Sequence, residues 1–105
     1  MLGFLKKLLG FDSTPAVDYR EMLAAGAIIV DVRTPGEYKS GHIKGSLNLP
    51  LDSIGGHTDA LLKKGVPVIT CCRSGARSGM AVGILRKAGI EAVNGGAWDS
   101  LQAKI

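Results

Sequence analysis

The sequence has few cysteines and few aromatic residues. Only two of its 105 residues are cysteines, and they are neighbours, Cys71 and Cys72. Two adjacent cysteines do not form a disulfide framework, and a bond between them would be strained. Their spacing also differs from the C-x2-C spacing of zinc sites. We therefore expect free thiols, no bound metal and a reducing compartment, the cytoplasm.

Long hydrophobic runs and dense clusters of positive charge are also missing. No apolar run approaches the roughly 20 residues that cross a membrane. Lys6 and Lys7 interrupt the apolar start and no small-residue cleavage site follows, so we expect no signal peptide. The net charge of +4 comes from scattered lysines and arginines, and aromatic residues make up 5% of the chain. We therefore do not expect a nucleic-acid-binding protein, although basic loops could bind small anionic substrates.

The first residues form a unit of their own. Residues 2–11 are predicted to form a short amphipathic helix, with apolar residues on one side and lysines and glycines on the other. Two interpretations stay open: the apolar side packs on the domain or a second subunit, or it contacts a membrane surface weakly. We predict this helix and a linker over residues 1–14 and a single domain over residues 15–105.

The rest of the chain alternates between predicted strands and helices. The predicted strands are residues 27–32, 46–49, 66–70 and 90–93. The predicted helices are residues 18–25, 34–38, 52–64, 78–88 and 97–105, and residues 94–96 are predicted as a turn. Capping boxes at Asp18 and Thr34 support two of the helix starts. This alternation predicts an α/β fold with a mainly parallel sheet, helices on both faces and right-handed crossovers.

A cysteine lies where the strand over residues 66–70 gives way to a helix. A helix N-terminus and loop N–H groups favour an anion, so they favour thiolate over thiol. Arg73 and Arg77 add positive charge, and such surroundings depress a cysteine pKa. Asp31 and Arg33 end another predicted strand, and the carboxyl ends of parallel strands line the active crevice of such sheets. The sequence therefore predicts a reactive cysteine at this edge.

Three motifs, in this order and spacing, resemble the single-domain rhodanese-like sulfurtransferases over about residues 18–101. They are Asp31-Val-Arg33 with Glu37-Tyr38 and Gly41-His-Ile-x-Gly45-Ser-x-Asn48, then Cys72-Arg-Ser-Gly-Ala-Arg77-Ser78, and lastly Gly95-Gly96 with Trp98. The resemblance implies a five-stranded, mainly parallel α/β sheet flanked by helices, with no metal or organic cofactor.

The resemblance also implies a mechanism and a set of site residues. Cys72 would attack the outer sulfur of an anionic donor such as thiosulfate, become a persulfide and pass that sulfur to cyanide or a thiol. The residues expected to bind the donor and the persulfide are Arg73, Ser74, Gly75, Ala76, Arg77 and Ser78. A supporting cluster of ion pairs and hydrogen bonds beneath the loop is expected from Asp31, Arg33 and Glu37.

Other functions remain open at this stage. Counted from Cys72 to Arg77 the loop is C-x4-R, which resembles the sulfur-transferring members. Counted from Cys71 it is C-x5-R, which resembles cysteine-dependent phosphatases. We favour Cys72 because Arg-Ser-Gly follows it directly, and we expect Cys71 to be an inert core residue or a partner of an oxidised Cys72. A non-catalytic sulfur carrier or docking module of the same fold is the further alternative.

Overall fold

The computed structural model of the protein describes residues 17–105, in which helices alternate with four strands. The strands are β1 (Ile28–Asp31), β2 (Leu47–Asn48), β3 (Val68–Cys72) and β4 (Ala92–Ala97). The helices are α1 (Tyr19–Ala24), α2 (Pro35–Lys39), a 3₁₀ helix (Ile54–His57) that runs into α3 (Thr58–Lys64), α4 (Ala76–Lys87) and α5 (Trp98–Ala103). The predicted amphipathic helix and linker, residues 1–14, lie outside the described residues. Between residues 17 and 105, no helix is both long and apolar enough to span a membrane.

The four strands form one parallel sheet in the order β2-β1-β3-β4. The predicted parallel sheet is confirmed, but the predicted five strands are wrong for residues 17–105, which contain four. Four segments of this part of the chain have strand patterning, and the segments between them are helices and turns. The number five came from the family resemblance and not from a fifth such segment.

Two hydrophobic cores lie on opposite faces of the sheet, so the prediction of helices on both faces is confirmed. One core joins Val30, Val68 and Cys72 to α3 and α4, and the other joins Ile69 and Cys71 to α1 and α5. Successive side chains of a strand point to opposite faces. The two adjacent cysteines therefore lie in different cores.

Local capping chemistry determines where two helices begin. The Asp18 carboxylate accepts a hydrogen bond from the Glu21 N–H at 3.0 Å and begins α1. Thr34 and Glu37 form the predicted capping box at the start of α2. The Glu37 carboxylate accepts from the Thr34 N–H at 3.1 Å, and Thr34 Oγ1 accepts from the Glu37 N–H at 3.3 Å. Each bond satisfies an N–H group that would otherwise lack a partner.

Glycines account for three of the differences between the predicted and the observed boundaries. Helix α4 begins at Ala76 and not at residue 78, because Gly75, at φ +98°, reverses the chain directly before it. Residues 94–96 belong to β4 and not to a turn: a Cβ on Gly95 would lie 2.7 Å from the Thr70 carbonyl oxygen, so glycine lets β4 approach β3 closely. The helix predicted over residues 52–64 is an α-helix only from Thr58, because Gly55 and Gly56 are poor α-helix formers and lie in the 3₁₀ helix before α3.

Candidate active site

The sulfur of Cys72 lies beneath the loop between β3 and α4. The loop's Gly75 N–H donates to Sγ at 3.0 Å, and the Ser78 N–H in the first turn of α4 donates at 3.4 Å. The Ser78 hydroxyl oxygen lies 3.3 Å from the same sulfur. Cys72 and Ser78 are fully buried. The donors therefore surround the position where negative charge would develop on sulfur.

Glycine makes this loop geometry possible. Gly75 has φ +98°, a left-handed conformation that side chains with a Cβ rarely adopt. Its α-carbon faces Gly96 at the end of β4, and a Cβ on Gly75 would lie 3.4 Å from the Gly96 α-carbon. Two glycines thus bring the loop against β4 and direct the Gly75 N–H at the sulfur.

The surroundings of the two thiols shift their pKa values in opposite directions. Burial raises the pKa of Cys72, but the hydrogen bonds that its thiolate can accept from the Ser78 hydroxyl and from the N–H groups of Ser78, Gly75 and Ser74 lower it, and the net pKa lies below the ordinary value. The pKa of Cys71 is raised to about 12, mainly by burial and next by the negative charge of the nearby Asp31 carboxylate. Thiolate is the nucleophilic form. Cys72 is therefore the candidate nucleophile.

Arg77 is held by a carboxylate from another helix. Its Nη1 and Nη2 atoms donate to Glu37 Oε1 at 2.7 Å and Oε2 at 2.9 Å, a two-point ion pair between α4 and α2. Both side chains are about one-third exposed. The hydrogen bond from Arg77 holds the pKa of Glu37 down at about 2. Glu37 thus fixes the position of the Arg77 guanidinium at the start of α4.

Asp31 and Arg33 form a second, buried ion pair. Arg33 Nη2 lies 2.7 Å from Asp31 Oδ2, and the hydrogen bond that Arg33 donates to Asp31 raises the pKa of Arg33. Arg33 also donates from Nη1 to the Glu37 carbonyl oxygen at 3.2 Å and from Nη2 to the Gly41 carbonyl oxygen at 2.7 Å. Its guanidinium carbon lies 4.7 Å from the centre of the Trp98 ring. The predicted supporting residues thus form two ion pairs joined through the backbone of Glu37.

The remaining predicted site residues lie at the surface of the loop. Arg73, Ser74 and Ala76 are exposed. Arg73 lines a cleft of about 270 Å³ together with Arg33, Glu37 and Trp98. On the other side, Arg77 lines a cleft of about 520 Å³ whose walls include Pro35, Pro50 and Leu51. Within residues 17–105, no group of three or more histidine, cysteine, aspartate or glutamate side chains is arranged to hold a metal ion.

Two polar residues that the sequence analysis did not single out brace the loop. Thr70 Oγ1, fully buried in β3, donates to the Ser78 carbonyl oxygen at 2.9 Å. Asn94 in β4 contacts both ends of the loop: Nδ2 donates to the Gly75 carbonyl oxygen at 3.0 Å, and Oδ1 accepts from the Ser78 hydroxyl at 2.7 Å. A threonine in an otherwise apolar strand is a signal that could have been used. Asn94 stands before two glycines, a pattern typical of a turn, so the sequence did not indicate its role in bracing the loop.

Comparison with known proteins gives consistent results. Residues 15–100 match the family model of the rhodanese-like domain. The uncharacterized protein YqhL of Bacillus subtilis is 38% identical over 63 residues, which are 60% of this chain and 49% of that protein. The chain thus spans about half the length of this curated relative.

Two solved structures are similar over most of their length. The human single-domain sulfurtransferase TSTD1 has a TM-score of 0.68 and 28% identity, with 88% of this chain and 98% of that chain covered. A rhodanese with anions from E. coli has a TM-score of 0.65 and 28% identity, with 70% of this chain and 89% of that chain covered.

Proposed function

The chain belongs to the rhodanese-like domain family, and from that premise we propose that it is a sulfurtransferase. The reaction moves a sulfane sulfur from thiosulfate, or a related persulfide donor, to a thiol or cyanide acceptor through a persulfide on Cys72. The observation that carries the proposal is the surroundings of Cys72 Sγ: two backbone N–H groups donate to it, and its pKa is lowered. A lower pKa increases the fraction of Cys72 that is present as the nucleophilic thiolate.

The proposed chemistry has two displacements and needs no oxidant. The Cys72 thiolate attacks the outer sulfur of thiosulfate, a new S–S bond forms, and the S–S bond of thiosulfate breaks as sulfite leaves with the electron pair. The acceptor then attacks the terminal sulfur of the persulfide, and Cys72 leaves as thiolate. Cyanide becomes thiocyanate, and a thiol becomes a persulfide. The same N–H donors stabilise the anion at the start and the end of the cycle.

We assign donor binding first to Arg73. Arg73 is exposed in the loop directly after Cys72, whereas Arg77 is engaged by Glu37, so Arg73 is the loop cation best able to contact an incoming sulfur oxyanion. Arg77 contributes its charge from a fixed position. The E. coli rhodanese is described with anions, which agrees with an anionic donor for this chain.

The surroundings of Cys71 argue against the phosphatase alternative. Cys71 lies in the core on the opposite face of the sheet, and burial raises its pKa to about 12. A thiol of that pKa is almost entirely protonated at neutral pH. Both cysteines are free thiols, which suits the reducing conditions of the cytoplasm. Contact of residues 2–11 with a second subunit or a membrane surface stays a prediction.

Formation of thiocyanate from thiosulfate and cyanide tests the proposal. We expect turnover by the wild type, and turnover by Cys71→Ser within a few-fold of the wild-type rate. Cys72→Ser should lose turnover, because the hydroxyl of serine is a far weaker nucleophile. Arg73→Gln should raise KM for thiosulfate more than it lowers kcat. Loading of sulfur on Cys72 without turnover would favour the carrier alternative, and turnover by Cys72→Ser would contradict the proposal.

A further inference from the structure

The amide of Asn94 has one orientation that satisfies its neighbours. Its Nδ2 donates to the Gly75 carbonyl oxygen at 3.0 Å, and its Oδ1 accepts from the Gly96 N–H at 2.8 Å. Exchanging the two amide atoms would bring NH₂ against N–H and oxygen against oxygen. The atom next to the Ser78 hydroxyl is therefore Oδ1, which carries no hydrogen.

This orientation determines where the single proton of the Ser78 hydroxyl goes. Ser78 Oγ lies 2.7 Å from Asn94 Oδ1, so the hydroxyl donates to Asn94. The same oxygen lies 3.3 Å from Cys72 Sγ and presents only lone pairs to it. Lone pairs suit a thiol, whose S–H can donate to Oγ, but they repel a thiolate. Asn94 and an ionised Cys72 thus compete for one proton.

We propose that Asn94 is a positioning residue that keeps the Ser78 hydroxyl proton away from Cys72 Sγ until the cysteine ionises. In the resting chain the thiol donates to Ser78 Oγ, and Ser78 donates to Asn94 Oδ1. On ionisation the thiol proton leaves to solvent, and the hydroxyl turns about the Cβ–Oγ bond to donate to the sulfur. No covalent bond of Ser78 breaks. Asn94 Oδ1 keeps the Gly96 N–H, so it retains a partner. The inference rests on the proposed function, since it concerns that reaction's nucleophile.

The surroundings of Asn94 and Ser78 suit this role. Helix α4 has Gly79 opposite the amide, where a Cβ would lie 3.2 Å from Nδ2, so the helix leaves room for the asparagine. Thr70 holds the Ser78 carbonyl oxygen, so the hydroxyl can turn while the backbone of Ser78 stays in place. Asn94 itself is exposed, whereas Ser78 is fully buried. Asn94 can therefore be replaced without opening the core.

The other charged and titratable groups near Cys72 come from four sources. They are Cys71 on β3, Arg73 in the loop, Arg77 of α4 with Glu37 of α2, and Asp31 with Arg33 at the end of β1. A charge near a thiol shifts the pKa of that thiol. All but Cys71 are left unchanged in the variants below, and Cys71 is replaced by alanine in all of them. Differences between the variants therefore report the contribution of Asn94 and Ser78.

The test is the pKa of Cys72, measured from the pH dependence of alkylation by iodoacetamide in the full chain. Asn94→Leu keeps the size of the side chain but removes the acceptor, and Asn94→Asp keeps an acceptor and adds negative charge. We expect Asn94→Leu to lower the pKa by about 0.5 to 1 pH unit, the size of one net hydrogen bond. We expect Asn94→Asp to raise it. Gln102→Leu, an exposed amide on α5, should leave it unchanged.

A second background separates this role from a merely structural one. In Ser78→Ala no hydroxyl proton is left to share, so Asn94→Leu should lose its effect on the pKa. If Asn94 only braced the loop, Asn94→Leu would withdraw the Gly75 N–H from the sulfur and raise the pKa. A raised or unchanged pKa, or an equal fall in the Ser78→Ala background, would overturn the inference. Thermal unfolding verifies that each variant is folded.

The same samples separate a failure of the inference from a failure of the proposed function. Their mass after incubation with thiosulfate reports sulfur loading independently of the alkylation measurement. Normal loading with no pKa shift in Asn94→Leu would overturn the inference and leave the proposed function in place. No loading of the chain that carries Cys71→Ala alone would overturn the proposed function, while the alkylation profiles would still decide the role of Asn94.

Discussion

At the scale of single residues, adjacent positions on one strand give the two cysteines opposite surroundings. Cys72 faces the core with α4 and receives hydrogen bonds from the loop, whereas Cys71 faces the core with α1 and α5. The first thiol has a lowered pKa, and that of the second is raised to about 12. The two-residue period of a strand is the cause, because one step along the backbone changes the face.

This difference predicts selective alkylation. In the folded chain at neutral pH, iodoacetamide should modify Cys72 much faster than Cys71, because the pKa of Cys72 is lowered, that of Cys71 is raised to about 12, and Cys72 lies beneath a surface loop. Intact mass measured over time on Cys71→Ser and Cys72→Ser gives the two rates separately. Both variants should react once unfolded. Equal rates in the two folded variants would contradict the assignment.

Most residues of the candidate site could be identified from the sequence at this scale, but not the residues that brace it. Cys72, Arg77 and Glu37 stand in motifs whose spacing is local. Asn94 contributes through contacts with Gly75 and Ser78, which lie 19 and 16 positions away in the chain. Such contacts exist only once β4 lies beside β3, so no local pattern reveals them.

At the scale of elements, the ion pair between Glu37 and Arg77 joins α2 to α4. The pKa of Glu37 is lowered to about 2 by Arg77 and by the capping hydrogen bonds from Thr34. A carboxyl whose pKa is lower in the folded chain stabilises the fold above its unfolded pKa, about 4.3. That contribution is lost as the pH falls toward about 2.

The pH dependence of unfolding tests this linkage. We expect the wild type to be more stable than Glu37→Gln at neutral pH, and the difference to shrink as the pH falls from about 4.3 toward about 2. Glutamine keeps a side-chain oxygen for the Thr34 cap and removes the charge. Denaturant unfolding of both variants across this range measures the difference. A difference that stays constant with pH would show that the charge of Glu37 contributes nothing.

The close approach of β4 to β3 gives a second prediction about elements. A Cβ on Gly95 would lie 2.7 Å from the Thr70 carbonyl oxygen and 2.9 Å from both Ile69 and Leu101 side chains. Gly95→Ala should therefore destabilise the fold by about 1–3 kcal/mol. Gly83→Ala is the matched control: it lies in α4 with open space around its Cβ, and should stabilise by about 0.5–1 kcal/mol. Equal effects of the two substitutions in denaturant unfolding would contradict this packing.

Helix starts could be predicted where their chemistry is local, and other boundaries could not. The capping residues Asp18 and Thr34 lie within three positions of their partners, so the sequence alone indicates them. The extent of β4 could not be predicted, because residues 94–96 have the composition of a turn. Only pairing with β3 makes them a strand.

At the scale of the whole molecule, the strand order brings the site together. Because β1 lies between β2 and β3, the chain leaves β1 toward one edge of the sheet and leaves β3 toward the other. A crevice opens at such a point, beyond the carboxyl ends of the two strands. Asp31 ends β1 and Cys72 ends β3. The alternation of strands and helices predicted a parallel sheet, but the order of its strands follows from packing that a single sequence does not display.

The most direct measurement of the central claim is the intact mass of the chain after incubation with thiosulfate, followed by cyanide. The wild type and Cys71→Ser should each gain the mass of one sulfur atom and lose it on addition of cyanide, and Cys72→Ser should gain none. These results would establish a persulfide on Cys72 that is competent for transfer. A sulfur adduct on Cys72→Ser, or none on the reduced wild type, would contradict the account.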